Sequence, residues 1–477
     1  MKKDERRVEP QFPTLCGRLM RTIVQHLGQN YYVPRRAITT ALLSALALAP
    51  VVVMAQSLTS THFKAIHTFN GQDGAFDDAG VLVDKAGNVY AAVTFGGDKN
   101  LSGCNGGGCG LVIKIDPSGK PTVLHRFTGK QDGGQPQATL IMDASGNLYG
   151  TTTVGGNDAK CVIYQPYGCG VVFKVAADGT FTVLYTFKGG SDGAFPVRSQ
   201  LVLDKAGNFY GTTWNGGSKN PECGYAEGSG CGVIYKVDPS GTETVLYRFT
   251  GGADGAAPDG LVQDAFGNLY GTAVQGGSGS CTTFVPAGCG TVWKLDTKNH
   301  LTVLHNFAGS PSDGAYPYSG VIRDTQGNLY GVTVGGGDPA CTEESGCGVA
   351  FKVSASGKKF TVLHSFMPDG LDGFWPVGAP VLDKSGDLYG TTGWGGNFNQ
   401  YPCTNGYGCG VVFKIDKGNK ETIVYGFKGE KDGGLPGNSS LDAEGNIYGT
   451  TYEFGDMNGI CGTDGITGCG TVFKITQ

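Results

Sequence analysis

Fourteen cysteines fall in seven close pairs: Cys104 with Cys109, Cys161 with Cys169, Cys223 with Cys231, Cys281 with Cys289, Cys341 with Cys347, Cys403 with Cys409, and Cys461 with Cys469. Thiols at such spacing can close short disulfides or hold a metal. The partners stand five to eight residues apart, not in Cys-x-x-Cys, and no histidine lies nearby to complete a zinc set, so disulfides are expected. Each staple is worth about 2–3 kcal/mol in the chain-entropy picture and rigidifies its own loop. Seven Asp-Gly pairs recur in step with the cysteines, at Asp73, Asp132, Asp192, Asp254, Asp313, Asp372 and Asp432. A ring of such carboxylates around a channel mouth could take calcium, which prefers oxygen ligands. The alternative is turn chemistry, in which Asp bonds its own backbone and Gly takes a positive φ. The turn reading is preferred, and no cofactor is expected.

The remaining candidates are fewer. His67, His125, His305 and His364 occupy one repeat position that elsewhere holds Tyr185, Tyr247 and Tyr425, and so read as packing residues. His62 and His300 lie near strand ends, which leaves the long loops without the usual general base. Glu343-Glu344, inside the loop between Cys341 and Cys347, is a carboxylate pair that could do acid–base work, or could simply be solvated. No catalytic residue is assigned. Loop aromatics are more suggestive: Trp214, Trp375, Trp394, Phe374, Tyr316, Tyr318, Tyr164, Tyr167, Tyr401 and Tyr407. If exposed they could stack on sugar rings or anchor a protein; the alternative is packing between repeats.

What positions these residues is a repeat. Each cysteine pair follows a copy of Asp-x-x-Gly-Asn-x-Tyr, with tyrosines at 90, 149, 210, 270, 330, 389 and 448, spaced 59 to 61 residues apart. A period this regular denotes a repeat architecture. In the third copy, apolar runs Ser199–Leu203, Phe209–Trp214, Val233–Val237 and Thr244–Phe249 are separated by turns at Asp204–Asn208 and Asp238–Gly241 and by the cysteine loop. Four short strands without helical periodicity make an antiparallel sheet. Seven such units predict an all-β, seven-bladed β-propeller of four-stranded antiparallel blades. Strands are lettered A to D from the centre outward. The last copy ends on a third strand, Thr471–Ile475, while Phe63–Phe69 precedes the first copy and resembles a fourth. The N-terminal strand is therefore expected to complete the last blade, which removes both exposed edges. Tight A–B and C–D turns then share one face. The long B–C loops and D–A links share the other, with all seven disulfides and all seven Asp-Gly pairs.

Residues 1–55 read as a leader and 56–477 as the propeller. Arg35-Arg36 precedes an apolar run from Ala37 to Met54, and Val53-Met54-Ala55 offers a cleavage site before Gln56, as in a secretory signal. Cys16 falls in the discarded leader. An uncleaved anchor is the alternative, and no membrane span is expected in the mature chain. Disulfides persist outside the cytosol, so a secreted, periplasmic or cell-surface location is expected. The chain carries 36 basic and 41 acidic residues; removing 1–55 leaves 28 and 38, a net charge of −10. Without a basic patch, nucleic acid is excluded as a partner.

Leu148-Tyr149-Gly150-Thr151-Thr152, then Gly155-Gly156, then Gly170-Val171-Val172-Phe173-Lys174, resembles the Gloeobacter/Verrucomicrobia (GloVer) choice-of-anchor tandem repeat. The resemblance spans about residues 63 to 477 and implies an exported bacterial repeat protein, with no activity attached to any residue. The reading is a non-enzymatic binding module that takes polysaccharide or an envelope protein on its disulfide-braced face, with the seven Asp-Gly aspartates, Trp214, Trp375 and Trp394 as candidate contacts. A lactonase-type or glycan-cleaving propeller enzyme, and a purely structural surface protein, are the alternatives.

Overall fold

In a computed structural model of the chain, the described residues are 62–477, apart from 76–78, 99–103, 105–106, 157–160, 162–167, 199, 219, 221–222, 224–229, 342–345, 369–371, 397–402, 404–406, 456–460 and 462–467. The leader, Glu343-Glu344, Tyr164, Tyr167 and Tyr401 thus lie outside the described residues. The fold is a seven-bladed β-propeller of four-stranded antiparallel blades. The described residues contain no α-helix; one 3-10 turn spans Gly190–Asp192. Blade 4 shows the plan, with strand A at Ala256–Gln263, B at Leu269–Gln275, C at Thr291–Leu295 and D at Leu301–Asn306. The ring closes as expected: His62–Thr68 pairs antiparallel with Thr471–Thr476 and supplies the outer strand of blade 7.

Strands A meet at the centre. A Cβ on Gly80 of blade 1 would touch Thr139 of blade 2 and Asn438 of blade 7, and one on Gly260 of blade 4 would touch Gly320 of blade 5. Strand C is buried on both faces except for its lysine, because neighbouring blades pack over it. That lysine, at 114, 174, 294, 352, 414 and 474, lies 5.0–5.8 Å above the ring of the motif tyrosine on strand B.

Sequence dictates how blades mesh. The residue after the motif tyrosine is glycine in six blades, and it pairs across the ladder with a strand-C aromatic: Phe173, Tyr235, Trp293, Phe351, Phe413 or Phe473. A Cβ on these glycines would stand 2.5–2.7 Å from the ring, so only glycine admits it. The ring then meets the phenylalanine that ends strand D of the preceding blade. Pairs Phe127–Phe173, Phe187–Tyr235, Phe249–Trp293, Phe307–Phe351, Phe366–Phe413 and Phe427–Phe473 have centroids 5.0–5.9 Å apart, edge to face. Burying one such side chain contributes about 1.5–3 kcal/mol, and the edge contact about 0.5–1.5 kcal/mol more. Blade 1 shows the converse: Ala91 replaces glycine and the opposite residue shrinks to Ile113.

The tight turns of the opposite face are set by their aspartates. In the first, Asp84 Oδ1 accepts the Ala86 and Asn88 N–H groups, while Oδ2 accepts Asn88 Nδ2 at 2.7 Å and the Tyr90 hydroxyl at 3.1 Å. Burial acts against this carboxylate, but the bonds from Asn88 and Tyr90 outweigh it and hold the carboxyl below its ordinary range. Burial, and then the Asp84 charge, push the Tyr90 hydroxyl up to about 12. The same holds for the carboxyls of Asp143, Asp204 and Asp264. In blade 6 an aspartate, Asp387, stands in the asparagine's place and pairs with Lys414 at 2.7 Å.

Gly331→Ala is expected to destabilise the protein by about 1–3 kcal/mol through overpacking against Phe351. Adding Phe351→Ile, the combination found in blade 1, should recover part of the loss. Thermal denaturation of the single and double variants checks this; a neutral single variant would refute the glycine–aromatic account.

Candidate binding site at the inner rim

The cysteines form all seven expected disulfides, with Cα–Cα distances of 4.9–5.4 Å. Their reach exceeds a local staple. In blades 1 to 6, the carbonyl of the second cysteine accepts an N–H from the next blade: Gln135, Phe195, Ala257, Tyr316, Trp375 and Leu435 bond Cys109, Cys169, Cys231, Cys289, Cys347 and Cys409 at 2.8–2.9 Å. All six donors precede a proline and sit at φ 52–60°, which side chains rarely adopt. Each braced loop therefore sets the entry angle of the following strand A. At blade 7 the second cysteine is Cys469, and the equivalent residue of blade 1, Phe76, lies outside the described residues and precedes Asp77, not proline. The disulfide of Cys461 and Cys469 packs in one core with Phe69, Ala75 and Val472, at the seam where the ring closes.

The seven Asp-Gly aspartates do not form a ring at the centre. Each bonds a residue of the strand D just before it, the outermost strand: His67–Asp73, His125–Asp132, His305–Asp313 and His364–Asp372 at 2.9–3.2 Å, and Tyr185, Tyr247 and Tyr425 with Asp192, Asp254 and Asp432. The same carboxylates accept backbone N–H groups at the end of strand D, from Asn70, Thr128, Lys188, Thr250, Ala308, Met367 and Lys428. Seven peripheral sites cannot share one ion, so the calcium-ring alternative is corrected: these carboxylates cap turns. The histidines, read as packing alone, also hold the carboxylates in place.

The tryptophans are likewise relocated. Trp214, Trp375 and Trp394 are only 6%, 8% and 7% exposed, so none offers an open stacking surface, and of the two readings packing is the one their burial fits. Phe374, Tyr316 and Tyr318 are buried as well. Tyr407 is 43% exposed and rests edge-on against Phe374 and Trp394.

What the structure does assemble is a break in the repeat. The residue after the strand-A proline is Gln137, Val197, Asp259, Tyr318, Val377 and Gly437 in blades 2 to 7. Asp259 of blade 4 has no exposed surface, and neither carboxylate oxygen has a hydrogen-bond partner among the described residues. Burial pushes its carboxyl up to about 8, against the opposing influence of the Arg198 charge and the nearby Gly260 N–H. Arg198 of blade 3 lies 5.9 Å over the Tyr318 ring of blade 5, and Trp214 of blade 3 is 5.8 Å from the same ring. The indole Nε1 of Trp214 also lacks a partner among the described residues. Phe284, from the blade 4 disulfide loop, closes over Tyr316 and Tyr318 at 4.7 and 6.3 Å. Three blades thus join one cation, one neutral acid and a set of aromatic rings on the axis side of the disulfide face. Sequence reasoning found Trp214, Tyr316 and Tyr318 but missed Arg198 and Asp259. Comparing the post-proline column across the repeats would have exposed the charged residue.

A profile of the Gloeobacter/Verrucomicrobia repeat matches residues 51–285 and 223–463. The chain belongs to the Gloeobacter/Verrucomicrobia repeat family. No curated protein matches the sequence. Among solved structures, this family member is similar to a streptogramin B lyase at TM-score 0.50 and 12% identity, covering 87% of this chain and 97% of that one. It is also similar to a luciferin-regenerating enzyme at TM-score 0.40 and 12% identity, covering 87% and 95%. At such identity the likeness extends to the propeller fold alone. Seven disulfides fit an extracellular repeat protein, and among the described residues no helix is long and apolar enough to cross a membrane.

Asp259 predicts a pH dependence with a definite sign. Its carboxyl stays protonated in the fold up to about pH 8 but ionises near 4 when unfolded. The native state therefore binds the extra proton, and stability falls as pH rises from about 4 to 8. Asp259→Asn should flatten that slope and melt higher than wild type at pH 8. Melting curves from pH 5 to 9 check it; parallel curves for the two proteins would show that Asp259 ionises normally.

Proposed function

We propose that the protein is an exported, non-enzymatic binding propeller, and that its ligand is a polysaccharide taken at the inner rim of the disulfide-braced face. One observation carries this reading: Asp259 and Trp214 Nε1 are buried polar groups without partners among the described residues, Trp214 against the Tyr318 ring and Asp259 within the influence of the Arg198 charge. Buried polar groups are otherwise almost always satisfied. A sugar supplies what these groups lack, with hydroxyls that both donate and accept.

The non-enzymatic part rests on the acid inventory. Asp259 is neutral at pH 7, whereas glycoside hydrolysis generally uses a pair of carboxyl groups with separate acid and base or nucleophile roles. The described histidines at 67, 125, 305 and 364 serve the peripheral turns. Export is supported by the apolar run from Ala37 to Met54 and by the disulfides.

Titrating bacterial surface glycans against wild type, Arg198→Ala and Trp214→Phe should show at least a tenfold loss of affinity in each variant, with melting temperatures held near wild type. Equal affinities would refute the site, and release of reducing ends would favour a glycan-cleaving enzyme. For export, intact mass with and without reductant should give a chain that begins at Gln56 and gains fourteen thiols on reduction. A retained leader with free thiols would overturn the location.

A further inference from the structure

The seams between outer strands repeat a second arrangement. The His or Tyr that bonds each Asp-Gly aspartate faces the start of strand D in the next blade. At two histidine seams that residue is a phenylalanine stacked flat on the imidazole: Phe181 on His125 at 3.6 Å and Phe360 on His305 at 3.7 Å. Phe63 stacks on Tyr425 in the same way at 4.3 Å. Blade 6 departs from this, because Glu421 stands where the stacked ring would be. It faces His364 and Asp372, and one ligand atom from each of the three lies within 4.8 Å of the other two. The His364 and Asp372 side chains are 18% and 8% exposed, and Nε2 lies 2.9 Å from Oδ2.

The blade 3 seam shows what a second carboxylate does without an imidazole. There Glu243 faces Asp192, whose strand-D partner is Tyr185. Burial, and then the Asp192 charge, push Glu243 up to about 7, so that pair relieves its repulsion by keeping a proton. At the blade 6 seam the third group is an imidazole nitrogen, a good ligand for borderline divalent ions. A protonated His364 would cancel one of the two negative charges, whereas a divalent ion cancels both.

We propose that His364, Asp372 and Glu421 form a binding site for a first-row divalent metal ion, zinc by preference, at the outer seam between blades 5 and 6. One imidazole nitrogen and two carboxylate oxygens are the donor types zinc takes in open, three-ligand sites, and mixed nitrogen–oxygen sets favour transition ions over calcium. Binding puts the metal on Nε2 in place of the hydrogen bond to Oδ2, and the neutral imidazole then carries its one proton on Nδ1. Calcium, which prefers six to eight oxygens, is poorly served. The site crosses the seam, since His364 and Glu421 belong to different blades, so the ion would clamp blade 5 to blade 6.

The repeat supplies controls that preserve the fold: Glu421→Phe installs the ring found at Phe181 and Phe360, and His364→Tyr installs the residue found at Tyr185, Tyr247 and Tyr425. Zinc is titrated by calorimetry into the full exported chain after chelator treatment. Wild type should take up one equivalent and melt higher with zinc than in chelator. Both variants should lose affinity at least tenfold, lose the zinc-dependent rise in melting temperature, and melt like wild type in chelator. If one variant fails to fold by circular dichroism, the other decides. The proposal is overturned by a wild type that takes up no stoichiometric zinc, by variants that bind zinc as wild type does, or by calcium binding in preference to zinc.

Discussion

A strand-C aromatic seated in a glycine niche, against the terminal phenylalanine of the preceding blade, is the contact on which the ring depends. It recurs at six seams, from Phe127–Phe173 to Phe427–Phe473. In blade 1 the smaller Ile113 packs in one core with Phe69 and Ala91. Each contact joins two sheets that share no ladder hydrogen bonds, so side-chain packing, with the link bonds to the cysteine carbonyls, fixes their separation. The N-terminal strand matters for the same reason. Phe63 stacks on Tyr425 and packs on Phe427 and Phe473, so one strand both completes the blade 7 ladder and fills its seam with blade 6.

The disulfides act on a different link. A staple of a short loop stabilises by about 2–3 kcal/mol in the chain-entropy account, comparable with one buried aromatic. Their distinctive contribution is directional. The second cysteine's carbonyl holds the pre-proline residue of the next blade in a left-handed conformation, and this aims strand A at the axis. The Asp-Gly carboxylates complete the joint from the outside by tying the end of strand D to the start of the link. Bracing on this face thus orients the residues of the inner rim, which connects the disulfide chemistry to the candidate site.

Repetition makes departures informative. Seven equivalent positions with one packing duty drift within a narrow set, such as Phe, Leu or Pro at the start of strand D. A charged residue at such a position needs a separate physical reason. Asp259 and Arg198 at the inner rim, and Glu243 and Glu421 at the outer seams, are of this kind. Three of the four are carboxylates forced into partial or complete burial, where a charge is costly unless it is paired, protonated or bound to a ligand.

Much of this was legible in the sequence because it is local. The 60-residue period, strand C at Val233–Val237, the Asp204–Asn208 turn and the pairing of Cys223 with Cys231 all depend on residues within a few positions of one another. Strand A was less legible: Ser199–Leu203 reads as a full strand, yet among its described residues only Val202–Leu203 pairs regularly with strand B. Closure by Phe63–Phe69 was readable too, because an orphan fourth strand and a missing one imply each other. The tertiary structure decided which residues converge. Arg198, Asp259 and Tyr318 lie about sixty positions apart, and only ring closure brings three successive strands A within side-chain reach. It also decided exposure. Trp214, Trp375 and Trp394 stand beside glycines, where sequence suggests solvent, but the closed fold covers them. Pairing follows from short-range chemistry, whereas burial depends on which surfaces the closed ring presses together.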